Sequence, residues 1–274
     1  MTRRRYAATA HRMAEKGNGT VHGPAGVLTV VLYETALGGL ALLWLAPLWG
    51  VVRPGFFKLA GATALGCATL AWLTGRGELA AAGATGRMAA LWLGVFAAAI
   101  GVWQVLLYAR MAAARWAGMA AVLPGLVAGW PLAQLSGRPA LGALALLTGA
   151  LFLGATMDGL LLGHWYLVDR RLSNRPIAAL ATWLVAGVAA ALVSAALGGA
   201  RGSAVDQSLS PLLAFPNLTV YLAVGLVLLC GLMASFIRVL VKGNSIQAAT
   251  GMFYLAVIMA LAAEFAAKVY FFPA

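Results

Sequence analysis

The chain has 274 residues, of which 63% are hydrophobic and 9% are charged, and its mean hydropathy is +0.91. Soluble domains are about 45–50% apolar and about 25% charged, so this composition excludes an ordinary soluble enzyme. The net charge of +12 does not predict nucleic-acid binding, because the basic residues are spread over short connections between apolar runs. We predict an all-α, polytopic bundle of transmembrane helices.

The chain begins with a basic tail, residues 1–24, in front of the first apolar run. No apolar stretch of the signal-peptide type follows its arginines, which argues against a cleaved signal. Lysine and arginine oppose translocation, so we expect the tail on the cytoplasmic side of an inner or cytoplasmic membrane. Residues 25–274 then form a single transmembrane domain.

Eight runs are long and apolar enough to cross a bilayer. A helical span takes about 17–25 apolar residues, at a rise of about 1.5 Å per residue. The predicted spans are residues 26–49, 57–75, 88–108, 117–136, 139–168, 177–199, 214–237 and 246–270. The connections are short, so no soluble catalytic domain is expected between the spans.

The fourth predicted span, residues 117–136, has a rival interpretation. It contains Pro124, Gly125, Gly129 and Pro131, and each of them weakens a continuous helix. A re-entrant segment with seven full spans therefore stays open. With eight spans the positive-inside rule gives a tie, whereas a fourth segment that does not cross places twelve lysines and arginines inside and six outside. We keep eight spans as the prediction, because an uncharged run of 22 residues covers this segment.

A faint internal repeat divides the domain into halves, residues 25–137 and 138–274. In each half an intramembrane acid is followed by a glycine five residues later and then by an Arg-Pro pair. The matching residues are Glu34, Gly39 and Arg53-Pro54, and Asp158, Gly163 and Arg175-Pro176. Two tandem four-helix units resemble in outline the quinone-binding subunits of polysulfide-reductase-type complexes, a resemblance of architecture alone.

The first predicted span carries an acid, Glu34, close to its middle. An ionised side chain there costs about 2.5–3.5 kcal/mol, so such residues usually face an interior or a water-filled path. No base lies three or four residues away, so a partner must come from another helix. Gly38 and Gly39 follow one turn later and allow close approach of a backbone or ligand. We predict proton handling at Glu34, with a hydrogen bond between helices as the structural alternative.

The fifth predicted span ends in polar and aromatic side chains. Small residues spaced by four lead up to Asp158, and His164, Trp165 and Tyr166 follow near the membrane surface. Histidine, tyrosine and tryptophan there are suited to hydrogen bonding and stacking on a quinone head group. They are equally typical of an interfacial aromatic belt. These four residues are candidates for quinone or proton handling.

Three further polar residues are secondary candidates. Glu264 and Lys268 are four apart, in the order that favours an intrahelical ion pair, and Lys268 is near enough to the chain end to snorkel. Gln104 is a buried amide, better suited to joining helices than to binding substrate.

The cysteine and histidine content argues against metal cofactors. Cys67 and Cys230 lie in apolar runs without a CxxCH context, which excludes a covalently attached haem. His164 is the one histidine beyond the tail, too few for a bis-histidine haem or a zinc or di-iron site. The remaining cofactor candidate is a quinone, and the expected partners are anionic lipids and other protein subunits.

Three functions fit these features. The first is a membrane subunit of a respiratory, electron-transfer or proton-handling complex with a quinone or proton site near Glu34, Asp158 and His164. The second is a small-solute or proton-coupled transporter, since broken helices such as the fourth segment are typical of transporter binding sites. The third is an anchor or scaffold for a partner complex. No motif indicates catalysis by the chain alone.

Overall fold

The computed structural model describes residues 24–169, 171–198, 218–269 and 271–272. The basic tail lies outside these residues, apart from Pro24. Within them the chain forms helices and no strand. The helices are α1 (Pro24–Leu45), α2 (Pro54–Ala81), α3 (Gly83–Tyr108), α4 (Ala114–Ala120), α5 (Val122–Leu135), α6 (Pro139–Val168), α7 (Arg175–Gly198), α8 (Leu218–Lys242) and α9 (Ile246–Lys268).

The described helices provide eight segments long and apolar enough to cross a membrane, with α4 and α5 forming one segment, Ala114–Leu135. The prediction of an eight-span helical bundle is confirmed. The fifth segment has the predicted bounds, 139–168, whereas α2 extends beyond the predicted 57–75. The helix α2 includes two basic residues, Lys58 and Arg76. The ammonium group of Lys58 lies 4.2 Å from the centre of the Tyr108 ring, and the guanidinium group of Arg76 lies 5.2 Å from the centre of the Trp72 ring.

Proline and glycine set several helix boundaries. Pro54 and Pro139 stand at the starts of α2 and α6, where a missing N–H costs no hydrogen bond and a fixed φ suits the helix. Gly137 has a φ of 72°, a left-handed conformation that glycine adopts without strain. This residue lets the chain turn from the end of α5 directly into α6.

The fourth span crosses the bundle instead of turning back. Ala121, between α4 and α5, keeps a right-handed helical backbone, so the two helices continue one another. The span runs antiparallel to α1, because Gly118 packs against Trp44 and Gly129 packs against Tyr33. Its prolines are accommodated in one crossing. The re-entrant alternative is therefore wrong.

The helix α1 is the centre of the bundle, with α6 packed along it. In α1, 83% of the most apolar stretch is buried, compared with 56% in α6 and 33–39% in the other spans. The two helices are parallel, since Glu34 lies beside Gly149 and, further along, Gly39 lies beside Asp158. Two parallel helices must be separated by an odd number of crossings, and the three spans between α1 and α6 meet this condition. A re-entrant fourth segment would leave two crossings between them and make the pair antiparallel, so the parallel packing independently excludes the seven-span alternative.

The parallel pair defines two faces of the bundle. We call the side where α1 and α6 begin the proximal face and the other side the distal face. The helix α9 runs antiparallel to α6, because Lys268 contacts Ala145 and Thr250 contacts Gly163. The end of α9 therefore lies toward the proximal face. The division into tandem halves stays a prediction.

Candidate functional site

Three ionisable side chains meet in the interior between α1, α6 and α9. Lys268 Nζ lies 2.8 Å from Glu34 Oε1 and 3.2 Å from Glu264 Oε2. It also donates a hydrogen bond of 2.9 Å to the carbonyl oxygen of Ala145. All three side chains are buried, and Glu34 has no exposed surface. We call Glu34, Glu264 and Lys268 the ionic cluster.

Small residues of α6 make room for the ionic cluster. Ala145 and Gly149 are one turn apart on this helix, and Ala145 leaves its carbonyl oxygen open to Lys268. Gly149 faces Glu34, where an added methyl group would come within 2.6 Å of Oε1. A larger side chain at Gly149 would therefore displace the carboxylate. Neither residue was predicted to belong to a site, although their spacing of four on the fifth span is the signal of a small-residue stripe.

The cluster confirms two expectations and corrects a third. The partner of Glu34 does come from another helix, and Glu264 and Lys268 do form an intrahelical pair. Lys268 does not snorkel to the membrane surface, since it is only 3% exposed. Its stem turns inward because Glu34 offers a second carboxylate there. A pair expected to be structural is thereby joined to the acid predicted to be functional.

The cluster contains unequal numbers of acids and bases. Two carboxylates share one ammonium group, so the fully ionised cluster carries one net negative charge. An unbalanced charge in a low-dielectric interior is costly, and a buried acid usually avoids it by binding a proton. Glu34 Oε2 has no hydrogen-bond partner among the described residues. The arrangement therefore has a place for one proton.

A pocket of about 170 Å³ adjoins the cluster at the proximal ends of α6, α7, α8 and α9. Glu264 and Lys268 line it, whereas Glu34 lies behind them. Most of the wall is alanine, glycine, valine and leucine. The other polar side chains of the wall are Ser136, Arg138, Thr148, Ser194 and Thr219. A proton or small molecule in this pocket reaches the cluster without crossing the apolar core.

Asp158 is a second buried acid, separate from the cluster. Its side chain is 2% exposed and lies beside Gly39 of α1, toward the distal face. Its Oδ2 atom has no hydrogen-bond partner, and Asp158 forms no ion pair within the described residues. The structure does not bring it together with Glu34.

The three residues at the end of α6 point in different directions. His164 is exposed, and the hydroxyl of Tyr254 lies 3.0 and 3.1 Å from its ring nitrogens. Tyr166 is buried and donates a hydrogen bond of 2.5 Å to the carbonyl oxygen of Ser173. Trp165 packs against the start of α2. His164, Trp165 and Tyr166 therefore do not line one quinone pocket, because successive helical residues are about 100° apart.

The remaining candidate, Gln104, joins two helices. Its Nε2 donates a hydrogen bond of 3.3 Å to the carbonyl oxygen of Phe57, which links α3 to α2. This contact agrees with the structural role expected for a buried amide. In the part of the chain that the structure describes, no group of three or more His, Cys, Asp or Glu side chains is placed to hold a metal ion.

Comparison with family models, curated proteins and solved structures finds no match. The ionic cluster and its pocket therefore stand as the basis for assigning a function.

Proposed function

We propose that this chain is a proton-coupled membrane transporter of a small solute, and that the ionic cluster binds the coupling proton. The observation that supports this proposal is the position of Glu264 and Lys268. They are ion-paired to each other and through Lys268 to Glu34, and they also line a pocket large enough for a small molecule. A proton and a solute that enter from the proximal face would meet at the same two side chains.

The cluster offers two arrangements of one proton. With the proton on Glu264, Lys268 pairs with Glu34 and ties α9 to α1. With the proton on Glu34, Lys268 pairs with Glu264 within α9. The ammonium nitrogen is within 3.2 Å of both carboxylates, so little movement is needed to change partner.

The position of the proton would then control the contact between α1 and α9. Protonation of Glu34 replaces an ion pair between helices by a weaker, neutral hydrogen bond. The end of α9, which forms one wall of the pocket, is then less firmly held to the central helix. Such a two-state contact is what coupling of a proton to solute binding requires.

The second candidate function is a proton-handling subunit of a respiratory or electron-transfer complex that contacts a quinone. His164 and Tyr254 favour it, because they form a hydrogen-bonded and exposed pair near the distal end of α6. A quinone carbonyl approaching from the lipid would find donors there. Purification from the native membrane separates the two functions. A transporter purifies alone and without quinone, whereas the complex brings redox proteins and quinone with it.

Infrared difference spectroscopy of the purified protein tests proton binding. The wild type should show a protonated carboxyl band that shifts in D₂O and disappears as pH rises. Glu34→Gln and Glu264→Gln each leave one carboxylate for one ammonium, so each should lose the cluster's contribution to this band, whereas any contribution from the separate acid Asp158 should remain. Glu78→Gln is the matched control, because Glu78 lies outside the cluster at the end of α2. A band unchanged in both cluster variants would leave the chain as an anchor or scaffold.

A further inference from the structure

We infer that Asp158 is a second proton-binding site, which exchanges with the distal face and receives protons from the ionic cluster across the contact between α1 and α6. This inference rests on the proposed function. It extends that function by giving the proton a way out on the side opposite to the pocket.

The positions along α1 place the two sites on a common path. Glu34 belongs to the cluster, and Gly39, five residues further toward the distal face, lies beside Asp158. Five residues correspond to a helical rise of about 7.5 Å. A methyl group added to Gly39 would be 3.4 Å from Asp158 Oδ1, so the carboxylate lies directly against the glycine.

A close backbone contact between α1 and α6 lies between the two sites. A methyl group at Gly38 would overlap the carbonyl group of Ala150 and come within 3.1 Å of Gly154 Cα. Two backbones in such contact leave no room for a water molecule at this level. The contact therefore separates the proximal acid site from the distal one, as a barrier in a proton path must.

The surroundings of Asp158 offer no structural use for its charge. On α1 the charged residue is Glu34, and on α9 the charged residues are Glu264 and Lys268. All three belong to the ionic cluster toward the proximal face, where they pair with one another and not with Asp158. His164, on its own helix, is exposed and contacts Tyr254. With no ion pair among the described residues, a buried carboxyl gains by holding a proton, and ionisable residues inside membrane spans are commonly parts of proton paths.

The proposed transfer conserves charge and involves no redox step. A proton enters the pocket and binds a carboxylate of the cluster. When the contact at Gly38 loosens enough to admit water, the proton passes to the Asp158 carboxylate. It is then released to the distal face, and both acids return to their starting states.

Proton flux into proteoliposomes tests the inference. The purified chain is reconstituted, a membrane potential is imposed with potassium and valinomycin, and an internal dye reports pH. We expect flux for the wild type, and a loss to the level of protein-free liposomes for Asp158→Asn and for Glu34→Gln. Asp169→Asn is the matched control, because Asp169 pairs with Arg53 beyond the end of α6 and should leave flux unchanged.

The outcomes separate this inference from the proposed function. Wild-type flux in Asp158→Asn together with loss in Glu34→Gln overturns the inference alone. Wild-type flux in Glu34→Gln contradicts the proposed function. The proposed transfer needs no solute, so an absence of wild-type flux, with the infrared band of the cluster present, also overturns the inference.

A second variant keeps the test decisive if Asp158→Asn fails to fold. Gly39→Ala adds a methyl group at an ordinary contact distance from Asp158 and meets no other atom within 4 Å. It should therefore fold and elute from a sizing column like the wild type. By shielding the carboxyl from water it should slow the flux, and wild-type flux in a folded Gly39→Ala protein would contradict the inference.

Discussion

Lys268 Nζ lies 2.8 Å from Glu34 Oε1, which joins the end of the last described helix to the middle of the first. The lysine is 3% exposed and the glutamate is fully buried. Ion pairs at a membrane surface are screened by water and contribute little. This pair is shielded from water, so the loss of Lys268 leaves buried carboxylates without a cation nearby to balance them.

Replacement of Lys268 by methionine should destabilise the fold strongly. The variant leaves two buried carboxylates without a cation, and removal of one partner of a buried pair costs about 3–5 kcal/mol. The measurement is the free energy of unfolding in detergent. Lys242→Met is the control, because Lys242 is exposed at the end of α8 and should change stability by less than about 0.5 kcal/mol.

The triple variant Glu34→Gln, Glu264→Gln, Lys268→Met should recover much of that loss. It removes every charge of the cluster together, and replacement of a whole buried ion pair is often close to neutral. If the triple variant is less stable than Lys268→Met, the loss of stability comes from poor packing of the methionine and not from unbalanced charge. That result would contradict the electrostatic explanation of the cluster.

Substitution of Gly38 by alanine should be costly, whereas the same substitution at Gly66 should not. The added methyl group at Gly38 meets the backbone of α6, and overpacking of this kind costs about 1–3 kcal/mol. Gly66 is also helical but has nothing within 4 Å of the added group, so alanine there should be neutral or slightly stabilising. Equal thermal stability of the two variants would argue against the close contact.

Cysteine labelling should place positions 110 and 175 on one side of the membrane and position 138 on the other. Each of these residues is an exposed arginine at or just beyond a helix end, and the eight-span order puts the first two at the distal face. A membrane-impermeant maleimide is applied to single-cysteine variants in a background without Cys67 and Cys230. Opposite labelling of positions 110 and 175 would restore the seven-span alternative.

His164→Ala should leave proton binding by the cluster unchanged. The histidine lies on the distal side, contacts Tyr254 and shares no contact with Glu34, Glu264 or Lys268. The infrared carboxyl band should therefore match the wild type. Loss of bound quinone from this variant, where the wild type retains it, would instead favour the electron-transfer function.

The span count was predictable because it depends on composition and length, which are local properties of the sequence. The path of the fourth segment was not, because Pro124 and Pro131 fit both a crossing and a re-entrant helix. Contacts of Gly118 and Gly129 with α1 decide the path, and such contacts involve residues distant in sequence. Local pattern alone therefore left the alternative open.

The candidate site, too, was predictable only in those features that depend on residues close together in the sequence. The need of Glu34 for a partner follows from the absence of a nearby base, and the spacing of Glu264 and Lys268 indicates their pair. That all three meet depends on the antiparallel packing of α9 against α6, which the spacing does not encode. His164, Trp165 and Tyr166 were grouped at a candidate quinone site because they are neighbours in sequence. They point in different directions in the structure, because successive residues project from different sides of a helix.

A count of bound protons tests the central claim most directly. The purified wild type and the Glu34→Gln variant are titrated from alkaline to mildly acidic pH in detergent and choline chloride, so that no alkali cation replaces the proton. The account predicts that the wild type takes up about one proton more per chain, because only its cluster carries an excess carboxylate. Equal uptake by the two proteins would contradict it.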